Sequence, residues 1–208
     1  MTLYDSCMDL TARVLEDDKI RLEPLTREHL AEWCRVGLDA DIWKWYTIAP
    51  ITTPEMMRDY IELLLNQQAE GTTIPFVTRD KVSGRVVGGT RYLNIEPERR
   101  KVEIGSTWIG REWRRTHVNS HAKLLMLRYA FGTLGCVRVE LRTDALNAPS
   151  RAAIGRLGAT FEGILRKHAE TASGRWRDTA VFSILDSEWP AVRAGLEARI
   201  AGHAAANA

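Results

Sequence analysis

The chain has 208 residues, 45% apolar and 27% charged, and its 29 basic and 27 acidic residues leave a formal net charge of +2. A chain of this length buries about 70% of the surface its unfolded form exposes, so it needs neither disulfide nor metal to fold. The near-neutral balance excludes a global field for wrapping nucleic acid or docking on anionic lipid, so any anion site has to be local.

Residues 13–25 alternate around an Asp17-Asp18 break and read as an opening hairpin or long strand. Thr26 is set to cap a helix carrying Leu30, Trp33 and Val36 or Gly37. Thr53-Pro54 opens a second helix, with Met57, Ile61, Leu64 and Leu65 on one face. Between them lies an aromatic cluster, Ile42-Trp43-Lys44-Trp45-Tyr46, expected in a loop that either anchors to the core or forms a wall facing substrate. From Ile74 the period becomes two. Residues 75–78, 86–93 and 101–109 read as three strands of an antiparallel meander, divided by Ser83-Gly84 and Glu96-Pro97.

Residues 119–131 are apolar over most of their circumference and predict a well-buried helix. A strand at 137–141, a helix at 150–157 closed by Gly158, a strand pair at 159–165 and 176–185 about Ser173-Gly174, and a terminal helix at 186–200 complete the chain, with a frayed tail from 202. No repeat or interior linker interrupts this order. One domain over 13–200 is expected, with terminal extensions at 1–12 and 201–208.

Cys7, Cys34 and Cys136 form neither a Cys-x-x-Cys pair nor an even disulfide framework, which argues for a reducing compartment and against a metal site. No stretch reaches the roughly 20 apolar residues that span a bilayer. The N-terminus lacks the order of a secretory signal. A cytoplasmic protein with no membrane or nucleic-acid partner is expected.

The run from Glu103 to Ile109, a polar loop and the helix from Asn119 together aim backbone N–H groups and a helix dipole at one point. Arg111, Arg114, Arg115 and Lys123 surround that point, with Glu112 the nearby acid, so this is either an anion pocket or a solvated basic loop. Residues 138–163 hold a strand, an Asn147-x-x-Ser150-Arg151 turn, a short helix and Leu157-Gly158-Ala159-x-x-Glu162-Gly163. With Arg21-Leu22-Glu23-Pro24-Leu25, Glu103-Ile104-Gly105, Leu165-Arg166-Lys167-His168 and Gly174-Arg175-Trp176-Arg177-Asp178, this set resembles the GCN5-related N-acetyltransferases, and within them the RimJ/RimL-type branch that acetylates ribosomal-protein N-termini. The resemblance covers roughly residues 13–190.

The resemblance implies an α/β fold, a mostly antiparallel sheet of about seven strands splayed between its fourth and fifth, and acetyl-CoA as cofactor. The pyrophosphate loop of the family falls on Arg114-Arg115-Thr116-His117-Val118-Asn119. His117 and Asn119 replace the usual small residues and Arg115 stands where glycine is frequent, so the loop either avoids the strained angle or holds the cofactor less well. Asn119 is expected to cap the helix and reach a phosphate, with Arg114, Arg115 and Lys123 adding charge-assisted contacts. A backbone N–H near Trp108 or Ile109 would hold the thioester carbonyl. Asn147 would bind the pantetheine arm and Ser150 would protonate the thiolate, their plain roles being turn former and N-cap; Arg151 joins the cofactor set.

Glu103 is the candidate general base, acting through water, or else a buried partner of Arg91 or Arg138. His168, Trp43, Trp45, Tyr46 and Trp176 are expected at the acceptor, His168 with a structural or surface role as its rival. Cys136 is expected in the core, which favours direct transfer in a ternary complex over an acetyl-cysteine. A protein N-terminal α-amine is the first acceptor reading and a small-molecule amine the second, with a non-catalytic acyl-CoA-binding module as the rival from another class. The terminal helix and late hairpin are the surfaces expected to support a homodimer.

Overall fold

The computed structural model describes residues 8–206, so Cys7 lies outside the described residues. The chain opens with β1 (Leu15–Glu16) and β2 (Ile20–Pro24), paired antiparallel. Asp17 closes their turn by accepting from the N–H groups of Lys19 (2.9 Å) and Ile20 (2.8 Å). At this turn Asp17, Asp18 and His121 bring ligand-type atoms within 4.8 Å of one another. A 3-10 turn at Arg27–His29 leads into α1 (Leu30–Gly37). The aromatic cluster is not all loop. Asp39 caps a short helix, α2 (Ala40–Trp43), which carries Ile42 and Trp43 into the core. Thr53 caps α3 (Pro54–Ala69), with Pro54 in the first turn where its missing N–H costs nothing.

The meander follows as β3 (Thr73–Asp80), β4 (Val86–Glu96) and β5 (Lys101–Ile109). Then come α4 (Val118–Gly132), β6 (Arg138–Asp144), α5 (Ala148–Arg156), β7 (Thr160–Glu170), β8 (Trp176–Leu185) and α6 (Trp189–Ala206). Expected as frayed, residues 202–206 are helical, and 207–208 lie outside the described residues. No helix among the described residues is long and apolar enough to cross a membrane.

Among the described residues eight strands make one sheet in the order β1-β2-β3-β4-β5-β6-β8-β7, one more than expected because the opening hairpin contributes two. Neighbouring residues of a strand point to opposite faces, and the two cores divide accordingly. Phe76, Val87, Val102 and Ile104 pack with α4 and α6, while Val77, Val86 and Trp108 pack with α1, α2 and α3. On the second face the aromatic rings of Trp33, Trp43, Tyr60 and Trp108 meet at centroid distances of 5.2–6.2 Å.

The sheet forks between β5 and β6. These strands run parallel and pair over Lys101↔Arg138, Val102↔Val139 and Glu103↔Glu140. Beyond Glu103, β5 stays with β4 and β6 stays with β8, so two facing strand edges are left unpaired. A bulge falls at the fork, where the ladder skips from Gly89↔Trp108 to Arg91↔Gly105 and Ser106 takes φ +45°.

Candidate active site

The bulge decides which groups face the opening. The N–H of Gly110 donates to the Val87 carbonyl (2.8 Å), on the β4 side. Alternation along the strand therefore turns the N–H of Ile109, not that of Trp108, toward the edge β6 has left. Trp108 contributes backbone only, since its ring is buried among the helices of the other face.

The loop after β5 ends at α4. His117 precedes that helix with ordinary helical angles, φ −61° and ψ −25°, and the left-handed angle falls instead on Arg115, at φ +65°. The histidine thus avoids the strain its position suggested. Its Nε2 lies 3.0 Å from the buried Asp80 carboxylate and ties the helix start to the end of β3. Asn119 is inside the first turn rather than at the cap. His117 offers no side-chain cap, and only Thr116 Oγ1, at 3.4 Å, approaches the N–H of Val118. The N–H groups of Asn119 and Ser120 are left for an external acceptor.

Of the four basic residues expected around this point, two remain available. Arg111 is neutralised by Asp41 (2.8 Å) and Asp39 (3.4 Å). Lys123 is 5% exposed, its Nζ on the Thr107 hydroxyl at 2.6 Å and near that of Thr90 at 3.4 Å, so it does not belong to the exposed cluster. Burial pushes its pKa down to about 7. Arg114 and Arg115 are exposed and have no carboxylate within 4 Å among the described residues. An open strand edge, the Ile109 amide, free N–H groups at a helix start and two unpaired guanidinium groups fit a long ligand ending in a pyrophosphate.

Across the fork, Asn147 is the N-cap of α5, its Oδ1 accepting from the Ser150 N–H (3.2 Å). Ser150 is therefore not the cap expected. It sits in the first turn and is half-buried. Arg151, expected at the cofactor, is engaged with the Ala145 carbonyl (3.2 Å) and lies over the Phe161 ring (5.6 Å).

Glu103 is the last paired residue before the fork and is 6% exposed. Its partners are neither Arg91 nor Arg138. Asn94 donates to Oε2 (2.8 Å) and Arg142 approaches the same oxygen (3.4 Å), which leaves Oε1 without a partner among the described residues. Desolvation raises its pKa above the ordinary glutamate value, against the lowering from Asn94 and Arg142. A buried carboxylate with one free oxygen and raised basicity suits proton abstraction. Asn94 and Arg142 escaped the sequence reading. Arg142 is legible in the alternation Arg138, Glu140, Arg142, Asp144, which puts four charges on one face.

The acceptor residues divide. Trp43 is 1% exposed and its Nε1 donates to the Gly37 carbonyl (2.8 Å), so it is a core anchor and not a wall. Trp45 and Tyr46 are half-buried, and the tip between β7 and β8 docks beside them through Ala172 N–H to the Thr47 carbonyl (2.8 Å). His168 is exposed, with Nδ1 at 3.2 Å from the Thr179 hydroxyl, and Trp176 is exposed on the same hairpin. A groove lined by Thr72, Asn94, Ile95, Glu96 and Arg142 opens beside the Glu103 partners.

A model of the acetyltransferase (GNAT) domain matches residues 19–160. N-acetyltransferase p20 of Bacillus licheniformis, described as uncharacterized, is 27% identical over 175 residues, 84% of this chain and 97% of that protein. YdaF of Bacillus subtilis (strain 168), provisionally named a ribosomal N-acetyltransferase, is 28% identical over 190 residues, 86% and 97% of the two chains. A crystal structure of a GCN5-related N-acetyltransferase from Brucella melitensis superposes with a TM-score of 0.84 at 33% identity, covering 90% of this chain and 85% of that one. The forked sheet, the helix start beside it and these likenesses agree: the chain belongs to the GNAT family and is an acetyl-CoA-dependent N-acetyltransferase.

Proposed function

We propose that the protein acetylates the N-terminal α-amine of a protein or peptide, by direct transfer in a ternary complex. The observation that carries the reading is Glu103, buried at the fork with Oε1 unpartnered and its basicity raised. An α-amine with a pKa near 7.8 costs about 1 kcal/mol to deprotonate at pH 7, against about 4.6 for a lysine side chain near 10.4. A single carboxylate acting through water is enough for the first. The provisional ribosomal name of YdaF supports the same acceptor class.

Acetyl-CoA supplies the activated acetyl group. Arg114, Arg115 and the N–H groups of Asn119 and Ser120 bind its pyrophosphate, and Asn147 its pantetheine arm. The Ile109 N–H polarises the thioester carbonyl. Glu103 takes a proton from the amine through water, and Ser150 gives one to the departing thiolate. Among the described cysteines, Cys136 is buried with its thiol pushed up to about 12, and burial also raises that of Cys34 on α1. Neither is a ready nucleophile, which supports direct transfer. A cytoplasmic location belongs to the same reading, supported by both thiols being free.

Thiol release from acetyl-CoA over a panel of peptides and small amines tests this. Glu103→Gln is expected to lower kcat on the peptide acceptor about 10²- to 10⁴-fold with acetyl-CoA affinity kept. Equal rates for the variant, or turnover of small amines alone, reject the reading.

A further inference from the structure

On the face of the sheet that carries Glu103, nearly every charge is paired. Arg138 holds Glu140 (3.0 Å) and Glu162 (2.5 Å), Arg142 holds Glu140 (2.6 Å) and Glu103 (3.4 Å), Lys101 holds Glu96 (2.6 Å), and Arg175 holds the buried Asp144. Two cations on that face have no carboxylate within 4 Å among the described residues: Arg91 of β4, level with Gly105, and Arg177 of β8. Both are half-buried, and each has a buried Nε with no acceptor. Arg91 has only Gln67 Oε1 (2.8 Å), and Arg177 only the Trp45 carbonyl at 3.5 Å. The Tyr46 hydroxyl is also buried and unpartnered; burial raises its pKa, and the charge of Arg91 opposes that rise, while burial lowers the pKa of Arg177 against the opposing charges of Asp144 and Glu103.

Two guanidinium groups and a phenol are donors, and a guanidinium accepts nothing. Half-buried cations without a counter-ion are costly to hold. A negatively charged ligand oxygen on this face would supply an acceptor that these donors lack, where the acceptor enters toward Glu103. We propose that the acceptor carries a carboxylate close to its amine, held by Arg91, Arg177 and Tyr46. On a peptide acceptor this is an aspartate or glutamate at the first or second position. The inference rests on the N-terminal acceptor reading and narrows it.

The test compares Ser-Glu-, Ser-Gln- and Ser-Lys-led peptides, with free serine as the arm in which the α-carboxylate itself is the anion. The expected kcat/KM for the glutamate peptide exceeds that for the glutamine peptide by about ten- to a hundred-fold, the range of one or two charge-assisted hydrogen bonds. Arg177→Glu should reverse the order in favour of the lysine peptide, and Arg91→Met should shrink the glutamate preference. Equal rates for the glutamate and glutamine peptides overturn the subsite while leaving N-terminal transfer standing. If no peptide turns over, the proposed function fails, and the subsite is then read by calorimetry with N-acetyl-Ser-Glu and N-acetyl-Ser-Gln peptides in the presence of CoA. Tighter binding of the glutamate peptide upholds the subsite, and equal or absent binding overturns it.

Discussion

Replacing Lys123 by Met should make the protein more stable, by an amount that depends on pH. The ammonium is buried under the sheet with two threonine hydroxyls and no carboxylate, and desolvation brings its pKa from 10.5 down to about 7. Between those values the unfolded chain binds a proton that the folded chain does not, so wild-type stability rises with pH across the window from about 7 to 10.5. At 1.36 kcal/mol per unit, this linkage amounts to about 5 kcal/mol withheld from the folded state at pH 7. Met conserves length and apolar contact but gives up the bond to Thr107, worth about 1 kcal/mol; the two hydroxyls still bond each other at 2.8 Å. A net gain of about 4 kcal/mol at pH 7 follows, or roughly 8–16 °C in Tm. It should fall to about zero near pH 10 and become a loss of about 1 kcal/mol, that of the missing bond, well above pH 10.5. Urea unfolding of both proteins at pH 7, 8.5 and 10 reads this directly. A stability difference that is negative at pH 7, or flat with pH, refutes the desolvated-lysine account.

Other perturbations read other parts of the molecule. A Cβ on Gly88 would stand 2.1 Å from the Trp108 carbonyl oxygen, a backbone atom that no rotamer change relieves. Gly88→Ala should cost about 3 kcal/mol in urea unfolding and weaken acetyl-CoA binding by shifting the strand that carries the Ile109 amide. Arg115→Gly relieves a left-handed angle worth about 1 kcal/mol yet removes one of the two unpaired cations, so stability should rise while calorimetry shows acetyl-CoA bound several-fold more weakly. Desolvation would raise the Asp17 pKa, but hydrogen bonds from His121 and the N–H groups of Ile20 and Lys19 outweigh it and bring the group to about 2. It contributes about 2 kcal/mol above pH 4, lost as pH falls through 2, and Asp17→Asn should remove that slope from acid unfolding.

The regular elements were legible because their signals are local. Thr53-Pro54 opened α3 as expected, and the alternation from Ile74 to Ile109 gave the meander. The apolar residues over most of the circumference of α4 likewise predict burial, and Lys123, expected at the phosphate, shares that burial. A lysine on the face that a helix turns to the sheet cannot reach water from there. Of the two alternatives for Trp43 the core anchor holds, because a four-residue helix after Asp39 turns its ring inward, and such a short turn leaves no periodicity to count. Glu103 stands out in the sequence as an acid on β5, but its partner Arg142 reaches it through the pairing of β5 with β6, residues 37 positions apart, which no spacing encodes. The unpaired Arg91 and Arg177 emerge only after every other charge on the face has been matched.

The brevity of the β5–β6 pairing bears on how the protein senses its own ligand. Only three residue pairs join the two halves of the sheet directly, and beyond Glu103 both edges keep backbone groups that a folded sheet would ordinarily satisfy. A pantetheine arm carries amides of its own and would act there as a substitute strand. Occupancy then becomes part of the folding equilibrium. At a concentration one hundred times Kd, bound ligand adds about 2.7 kcal/mol to the stability of the whole chain, and the amides of β5 past the fork should be the ones whose hydrogen exchange slows most.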